Sequence, residues 1–282
     1  MNATSSSASS QQSKTKSLLS IVLATRNEEQ SISQVLREIS EASLQLVDEF
    51  SIEVVLVDDS SSDDTVRVAQ EVAAHSKLPL EVIDGPGQGL GRAVLAGLAR
   101  ALEQNPYLIV TLDADGQHDA RDIPKFVDRL VQDGSDLVVG CRFGEGSIIG
   151  MPAYRRVISR IGNLVLRTTC RTGVLDATTA FRAFRPSVIE AFDPPALDLS
   201  GYNFFSAFVV AARRDGFKIS EQPIIFRERI GGESKLGFSQ LVAFGKALPA
   251  LARYRRSKPV KSVAQRSDSA LPIVEENCLA PR

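Results

Sequence analysis

The sequence has no tryptophan, only two histidines and only three cysteines among its 282 residues, and each scarcity excludes a class of site. The cysteines Cys141, Cys170 and Cys278 lie far apart, with no histidine nearby. This spacing excludes a zinc motif and argues against a disulfide framework, so we expect a reducing, cytoplasmic environment. His75 and His118 are too few for a multi-histidine metal centre. Any bound metal ion therefore requires oxygen ligands, which suit Mg2+ or Mn2+.

The chain also has no large excess of positive or negative charge and no long apolar run. The 33 basic and 34 acidic residues give a net charge of -1, so the chain as a whole is not expected to bind nucleic acid. No run of about 18 uncharged apolar residues occurs, so no transmembrane helix is expected. The serine-rich N-terminus lacks the apolar segment of a signal peptide. An apolar fraction of 43% is typical of a globular protein with a sizeable core.

The two ends of the chain differ in composition from its middle. Residues 1–17 are predicted to be a disordered tail and 259–282 a flexible one, because neither has an apolar period. Residues 18–237 are predicted to form a single domain, followed by an amphipathic helix with a basic end at 238–258. Such a helix either lies on an anionic membrane surface or packs on the core with its basic end in solvent.

Short apolar runs rich in β-branched residues alternate with helical patterns through the first half of the domain. Strands are predicted at 20–24, 52–57, 80–83, 107–112 and 136–140. This alternation predicts an α/β fold with a mostly parallel central sheet that is flanked by helices. A helix around 157–166 and a strand around 217–226 are also predicted, whereas 141–202 has no clear overall pattern.

Polar clusters follow the predicted strands. They comprise residues 25–28, 58–59, 85–91 and 113–118. Because the carboxyl ends of parallel strands meet at one edge of a sheet, where ligands bind, all four clusters are expected to open onto the same site.

The cluster Asp113-Ala-Asp115 places two carboxylates one residue apart. Each carboxylate destabilises the other unless a cation neutralises the pair. Mg2+ takes one or two carboxylates and completes its shell with water and phosphate oxygens, which makes this cluster a candidate metal site. The alternative is a solvated Asp-Gly turn with a helix cap.

Three further clusters each admit two interpretations. Asp58 or Asp59 is placed to accept hydrogen bonds from a base or ribose, whereas 63–64 match a helix N-cap. The glycines of 85–91 fail the dinucleotide-binding register and predict a tight loop whose N–H groups approach a ligand. The cations of 227–235 either clamp phosphate oxygens or belong to a solvated loop.

Five motifs, in this order, resemble glycosyltransferase family 2, and more closely its polyprenyl-phosphate (dolichyl-phosphate) sugar synthases. They are Asp113-Ala-Asp-Gly-Gln-His118, Val139-Gly-Cys-Arg142, Arg155-Arg-Val-Ile-Ser159, Asp176-Ala-Thr-Thr-Ala-Phe-Arg182 and Gly232-Glu-Ser-Lys-Leu236. The resemblance extends over about residues 18–237. It implies a Rossmann-like GT-A fold, a nucleotide-sugar donor, and Mg2+ or Mn2+ as cofactor.

The resemblance also implies a role for individual residues. The metal is expected at Asp113, Asp115 and Gln117. The donor is expected at Thr25, Asn27, Glu28, Asp59, Gly89, Arg92, Asp113, Ala114, Ser234 and Lys235. The acceptor phosphate is expected at Arg142, Arg155 and Ser159. Catalysis is expected to depend on Asp115, Arg142 and Arg229.

The reaction that the resemblance implies is transfer of a hexose from a nucleotide-sugar to a polyprenyl phosphate. The donor expected before any other is GDP-mannose, which supplies mannose. No histidine is placed to act as a general base, and a phosphate acceptor needs none because it is already an anion. A single in-line displacement inverts the anomeric configuration. Peripheral membrane contact is expected with such an acceptor. The alternatives are a UDP-sugar donor, a soluble acceptor such as a natural product or cyclitol, and a non-catalytic nucleotide-sugar-binding subunit.

Three segments depart from the family pattern. Ala24-Thr-Arg-Asn-Glu28 stands where Pro-x-Tyr-Asn-Glu is usual, so an aromatic base contact is missing. Residues 178–180 read Thr-Thr-Ala in place of Thr-Ser-Gly. Phe205 and Ala207 replace a glutamine and a glutamate, which predicts a more apolar site and motivates the soluble-acceptor alternative.

Overall fold

The computed structural model describes residues 16–195, 197–199, 201, 203–231 and 238–259, with the backbone alone for 238–242. Most of both predicted tails, the Gly232–Leu236 motif and the proposed donor residues Ser234 and Lys235 lie outside these ranges.

Nine strands, eight α-helices and one short 3-10 helix, Ala120–Asp122, occur along the described residues. The strands are β1 Ser17–Thr25, β2 Phe50–Asp58, β3 Leu80–Asp84, β4 Leu108–Asp113, β5 Leu137–Cys141, β6 Ser147–Ile148, β7 Arg182–Phe184, β8 Ile219–Pro223 and β9 Ile225–Phe226. The helices are α1 Glu29–Leu46, α2 Thr65–Ser76, α3 Leu90–Leu102, α4 Ile123–Gln132, α5 Ala153–Thr169, α6 Pro186–Glu190, α7 Asn203–Arg214 and α8 Phe238–Arg255.

The central sheet has seven strands in the order β3-β2-β1-β4-β7-β5-β8. All its pairings are parallel except those of β7, which runs antiparallel between β4 and β5. The predicted mostly parallel α/β sheet is confirmed. Strand β7 was not predicted, because three residues are too few to establish a period of two.

The strand predicted around 217–226 is in fact two strands in different sheets. Strand β8 ends at Pro223, which has no N–H to donate to a ladder, and the chain continues into β9. Strand β9 pairs with β6 in a separate two-stranded sheet. The chain therefore leaves the central sheet at Pro223 and approaches the ends of β4 and β5 from outside.

The central sheet is covered on both faces, because side chains alternate along each buried strand. In β1, Leu19, Ile21 and Leu23 pack with the apolar sides of α1, α2 and α4. The intervening Val22 and Ala24 pack with α3, α7 and α8.

Helix α8 corresponds to the predicted amphipathic C-terminal helix. Ala247, Leu251 and Tyr254 are buried in the core, with Phe244 and Leu248 packed against them. Its basic end, which includes Arg253, Arg256 and Lys258, is exposed. Of the two predicted arrangements, the structure shows the packed one. The side chains of Ala247, Leu251 and Tyr254 face the core and are not available to a membrane.

Candidate active site

A cavity of about 240 Å³ lies at the carboxyl ends of β1, β2 and β4. Eight of the predicted site residues line it: Thr25, Glu28, Asp59, Gly89, Asp113, Ala114, Asp115 and Arg229. The predicted convergence of the post-strand clusters is thus confirmed for the described residues. Arg26 and Leu90, which belong to the predicted clusters but were given no role of their own, also line the cavity, as does Gly201, which was not predicted. Arg26 occupies the position at which the family pattern has tyrosine. This departure from the pattern was the signal in the sequence that could have identified Arg26 as a site residue.

The carboxylates of Asp113 and Asp115 share one side of the cavity. Burial, and then the charge of Asp115, raise the pKa of Asp113 to about 8. Asp115 receives a hydrogen bond from Arg229 Nη2 at 2.7 Å, and Arg229 Nη1 donates to Glu28 at 3.2 Å. Arg229 thus partly neutralises the cluster. The raised pKa of Asp113 shows that the compensation is incomplete.

The two aspartates suit a hard divalent cation. Within the described residues no cluster of three or more acidic, cysteine or histidine side chains could hold a metal by itself. Two carboxylates are nevertheless sufficient for Mg2+ when phosphate oxygens and water complete the shell. A cation at Asp113 and Asp115 would relieve their repulsion and would compete with Arg229 for Asp115.

Gln117 lies past a sharp turn and is not among the cavity-lining residues. Gly116 has φ +76, and a Cβ there would come within 2.3 Å of Ile230. After this turn the Gln117 side chain donates to the carbonyl of Arg227 at 3.1 Å, while its backbone N–H donates to Asp115 at 3.0 Å. The predicted metal role of Gln117 therefore depends on its side-chain oxygen alone.

Asp59 is tied to the glycine-rich loop. Its two carboxylate oxygens accept from Gly87 N–H at 2.7 Å and Gly89 N–H at 2.9 Å. Gly85 must lack a side chain, because a Cβ would lie 2.8 Å from Asp59 Oδ1. We expected the loop to offer N–H groups to a ligand. For Gly87 and Gly89 that is wrong, because Asp59 takes both. Asp59 retains only its remaining lone pairs for a donor.

Of three further residues that were predicted to bind the donor, Thr25 lines the cavity, whereas Asn27 and Arg92 do not. Thr25 is buried at the cavity wall, and its hydroxyl has no hydrogen-bond partner among the described residues. Asn27 has φ +57, and its side chain accepts from Ser62 N–H at 2.7 Å. Arg92 is exposed on α3. Neither Asn27 nor Arg92 lines the cavity. Asn27 orders the loop after β2, whereas Thr25 borders the cavity with its hydroxyl buried and without a partner in the described ranges.

The predicted N-cap at 63–64 is realised through Asp63, which joins two helix N-termini. Asp63 accepts from the backbone N–H of Thr65, at the start of α2, at 3.1 Å. It also accepts from Glu29 N–H, at the start of α1, at 3.2 Å. Burial raises the pKa of Asp63, but the hydrogen bond from the Thr65 hydroxyl, and then these backbone bonds, hold it below its ordinary value.

Arg142 and Ser159, two of the predicted acceptor residues, are brought together beside β5. Arg142 Nη2 lies 3.4 Å from Ser159 Oγ. The guanidinium is, however, already paired with Asp176, through Nε at 2.7 Å and Nη2 at 3.0 Å. Asp176 is fully buried, and although burial opposes it, Arg142 holds the pKa of this carboxyl below its ordinary value.

The partnership of Arg142 with Asp176 was missed in the sequence, although both residues belong to recognised motifs. Asn163 completes the cluster by donating to Asp176 at 3.2 Å and accepting from Ala177 N–H at 2.8 Å. Arg155 lies one turn before Ser159 on α5, is half-buried and donates to the Tyr154 hydroxyl at 3.2 Å.

Phe205 and Ala207 are core residues and do not line the cavity. The expectation that they make the site more apolar is therefore wrong. Phe205 instead packs against the buried guanidinium of Arg182, 5.0 Å from its ring centre. Arg182 donates to the carbonyls of Thr179, Phe205 and Ala177 at 2.8 to 2.9 Å, and burial lowers its pKa to about 9.

Neither histidine is placed to serve as a base. His118 is buried between Phe181 and Phe226, at ring-centre distances of 5.6 and 5.2 Å. Burial, and then the charge of Arg142, lower the pKa of His118 to about 3. His75 is exposed on α2, on the outer surface of the domain.

These features define an α/β protein with a carboxylate-lined cavity at the ends of its parallel strands. Residues 20–192 match the sequence profile of glycosyl transferase family 2. The chain therefore belongs to this family and is a glycosyltransferase.

Two relatives and one solved structure are similar to the chain. It is 31% identical to polyprenol monophosphomannose synthase of Mycolicibacterium smegmatis over 223 residues, which are 78% of this chain and 82% of that protein. It is 34% identical to undecaprenyl-phosphate mannosyltransferase of Micrococcus luteus over 185 residues, 65% of this chain and 75% of that one.

The solved structure is glucosyl-3-phosphoglycerate synthase from Mycobacterium tuberculosis, in complex with Mn2+, UDP-glucose and phosphoglyceric acid. It superposes with a TM-score of 0.61 at 20% identity, over 86% of this chain and 81% of that one. This likeness establishes the GT-A fold. No helix within the described ranges has the length and apolar character needed to cross a membrane.

Proposed function

We propose that this glycosyltransferase transfers mannose from GDP-mannose to a polyprenyl phosphate, with inversion and with Mg2+ or Mn2+ as cofactor. The lipid acceptor and the sugar are supported by the two relatives, whose names state a polyprenol or undecaprenyl phosphate and mannose. A peripheral position at a membrane surface and a cytoplasmic location fit such an acceptor. The donor is proposed to occupy the 240 Å³ cavity.

The observation that carries the acceptor assignment is the state of the two histidines. His118 is buried with a pKa of about 3, and His75 lies on the outer surface. A hydroxyl acceptor requires a base to take its proton, which here would have to be a carboxylate such as Asp113 or Asp115 that the proposed metal site already uses, whereas a phosphate monoester is already an anion near neutral pH. A phosphate acceptor therefore suits a site without a histidine base.

In the proposed reaction an acceptor phosphate oxygen attacks the anomeric carbon while the bond from that carbon to the diphosphate oxygen breaks. The bonding electron pair leaves with the nucleoside diphosphate. Asp113 and Asp115 would hold the divalent ion, which supplies positive charge to the departing diphosphate when bound. Arg229, which contacts Asp115 at 2.7 Å, lies where it can add to that charge.

On the acceptor side, Arg142 and Ser159 are proposed to receive the phosphate, with Arg155 one turn earlier on α5. Asp176 leaves Arg142 with limited capacity, since it already takes Nε and Nη2. The cluster is therefore proposed to orient the phosphate through Arg142 and Ser159 together. Orientation of the two reactants is itself a large contribution to rate.

The test is a donor panel with purified full-length protein. Labelled GDP-mannose, UDP-glucose or UDP-N-acetylglucosamine is incubated with Mg2+ and a short-chain polyprenyl phosphate, and labelled lipid is extracted. We expect lipid labelling from GDP-mannose that requires Mg2+ or Mn2+. Failure of every donor to label the lipid would contradict the proposed acceptor.

A second candidate is a UDP-sugar donor with a soluble acceptor. Arg26 at the cavity wall favours it, because the usual tyrosine contact to the base is absent. The solved relative with UDP-glucose and phosphoglyceric acid shows this chemistry on the same fold. Sugar transfer to phosphoglyceric acid, or UDP-glucose turnover without lipid, would favour this candidate.

A further inference from the structure

Helix α5 presents an apolar stripe to solvent on its outer side. The α5 stripe consists of four side chains that are each at least 50% exposed: Tyr154, Val157, Ile161 and Leu164. They follow one another at intervals of three, four and three residues, which places them on one side of a helix. The buried residues of the helix, Asn163 and Leu166, lie on the opposite side. Packing of α5 on the core therefore does not account for the stripe.

Single exposed apolar side chains are ordinary, but four in a row on one helix are not. Ile149, just before the helix, is also 55% exposed. Helix α8, for which membrane contact was one of two predicted arrangements, packs the apolar side chains of its described part against α7 and α5. Among the described residues the exposed apolar helix surface is thus found on α5.

The charge along the α5 segment itself has a single sign, and the exposed Glu228 lies beside Gly150 at its beginning. No acidic residue occurs between Glu145 and Asp176, whereas five arginines do: Arg155, Arg156, Arg160, Arg167 and Arg171. With 3.6 residues per turn, Arg156, Arg160 and Arg167 flank one side of the stripe and Arg155 flanks the other. Arg156 and Arg167 are exposed and form no salt bridge with any residue in the described ranges.

We infer that the α5 stripe docks this protein on an anionic lipid bilayer. Apolar side chains on one helix side, flanked by arginines, match a helix that lies in the headgroup region with its cations among lipid phosphates. A second copy of the chain is a poorer occupant. A symmetric contact would place these arginines against the same arginines, without an acidic residue from α5 to pair with them.

Docking through α5 would place the lipid surface about one helix diameter (about 10 Å) from the acceptor site, because Ser159, four residues before Asn163, lies on the side of the helix opposite the stripe. Ser159 lies on this helix, 3.4 Å from Arg142, and Arg155 lies one turn earlier. This consequence rests on the proposed function, because it assumes a membrane-embedded acceptor phosphate. The docking itself does not, since vesicle binding needs neither donor nor acceptor.

The test is co-flotation of the full chain with vesicles of phosphatidylcholine, with or without phosphatidylglycerol. The wild type should float with the anionic vesicles, and raising the salt should release it. The variant V157Q/I161Q/L164Q should bind these vesicles at least about tenfold more weakly than the wild type, since each substitution removes apolar surface from the lipid contact. The matched control L44Q/V131Q, which alters two exposed apolar residues on α1 and α4, should bind like the wild type.

Several results would overturn the docking. They are absence of wild-type flotation, undiminished flotation of a folded stripe variant, or equal loss in the control. A stripe variant that changes only the sedimentation mass would assign the surface to self-association. If the triple variant proves misfolded by circular dichroism, R156Q/R167Q serves in its place and should weaken binding to anionic vesicles alone. Sugar transfer to a short polyprenyl phosphate without vesicles should persist in V157Q/I161Q/L164Q and in R156Q/R167Q. If the wild type itself shows no such transfer, that result would contradict only the proposed function and not the docking.

Discussion

The donor side and the acceptor side of the site differ in how far their polar groups are satisfied within the protein. On the donor side, the buried Thr25 hydroxyl has no hydrogen-bond partner among the described residues, and the pKa of Asp113 is raised to about 8. On the acceptor side, Arg142, Asp176 and Asn163 bind one another. Unmet polar groups in a buried site indicate a ligand, whereas a satisfied network indicates a framework. The donor side is therefore the part that is completed by binding.

The largest expected effect is on the donor side, from Asp115→Ala. Loss of this carboxylate should lower turnover by about 10³-fold or more, because it removes a proposed metal ligand and the partner of Arg229. Steady-state kinetics and Mg2+-dependent donor binding by calorimetry measure the effect. Asp122→Ala, which removes a surface partner of Lys125, is the control and should remain active. Normal turnover in Asp115→Ala would remove the metal from the proposed reaction.

On the acceptor side the largest effect should be on folding. Asp176→Asn leaves the buried Arg142 without its anion, and breaking such a pair costs about 3–5 kcal/mol. Urea denaturation at neutral pH measures the loss. Removing the exposed pairs of Arg67 with Asp64 and Glu71 by Arg67→Gln should cost less than about 1 kcal/mol for each pair. Similar small losses for both variants would show that the acceptor cluster is not a rigid framework.

The same pair predicts a dependence of stability on pH. Arg142 holds the pKa of Asp176 below its ordinary value of 3.8 in the folded protein. The resulting stability is present above the unfolded pKa and is lost as the pH falls through the folded one. The difference in unfolding free energy between wild type and Asp176→Asn should therefore shrink in acid. A difference that stays constant from pH 7 to about pH 2 would contradict the ion-pair explanation.

The contrast between the two sides also explains which parts of the site could be predicted from the sequence. Thr25 and Asp113 end parallel strands and Asp59 directly follows one, and strand alternation places such residues at one edge. The Arg142–Asp176 pair depends on β7 and on the loop before it, which have no period to read. Phe205 resembled a site residue in its motif, but its direction is set by the packing of α7 on the sheet. The α5 stripe is periodic, yet sequence alone does not distinguish an exposed apolar helix side from a buried one.

A smaller effect is expected at the glycine-rich loop. Asp59→Asn replaces two charge-assisted hydrogen bonds to Gly87 and Gly89 with one neutral acceptor. We expect a stability loss of about 1–3 kcal/mol and weaker donor binding, since the loop borders the cavity. Asp84→Asn, at the exposed end of β3, is the matched control and should change neither. If Asp59→Asn keeps both the donor affinity and the stability of the wild type, the loop holds its shape without the Asp59 carboxylate.

The smallest and most discriminating effect is expected from Thr25→Val. This substitution removes a buried hydroxyl that has no partner among the described residues, so the free protein should become more stable by up to about 1 kcal/mol. If the hydroxyl serves the donor, donor binding should weaken by about five- to tenfold, as for one lost hydrogen bond. Thr172 is the matched control, because it is also buried with an unpartnered hydroxyl but does not line the cavity. Thr172→Val should stabilise the protein and leave donor binding unchanged. If Thr25→Val alone gains stability and loses donor affinity, the Thr25 hydroxyl serves the ligand. If Thr25→Val and Thr172→Val change stability and donor affinity in the same way, the distinction between the two sides of the site is removed.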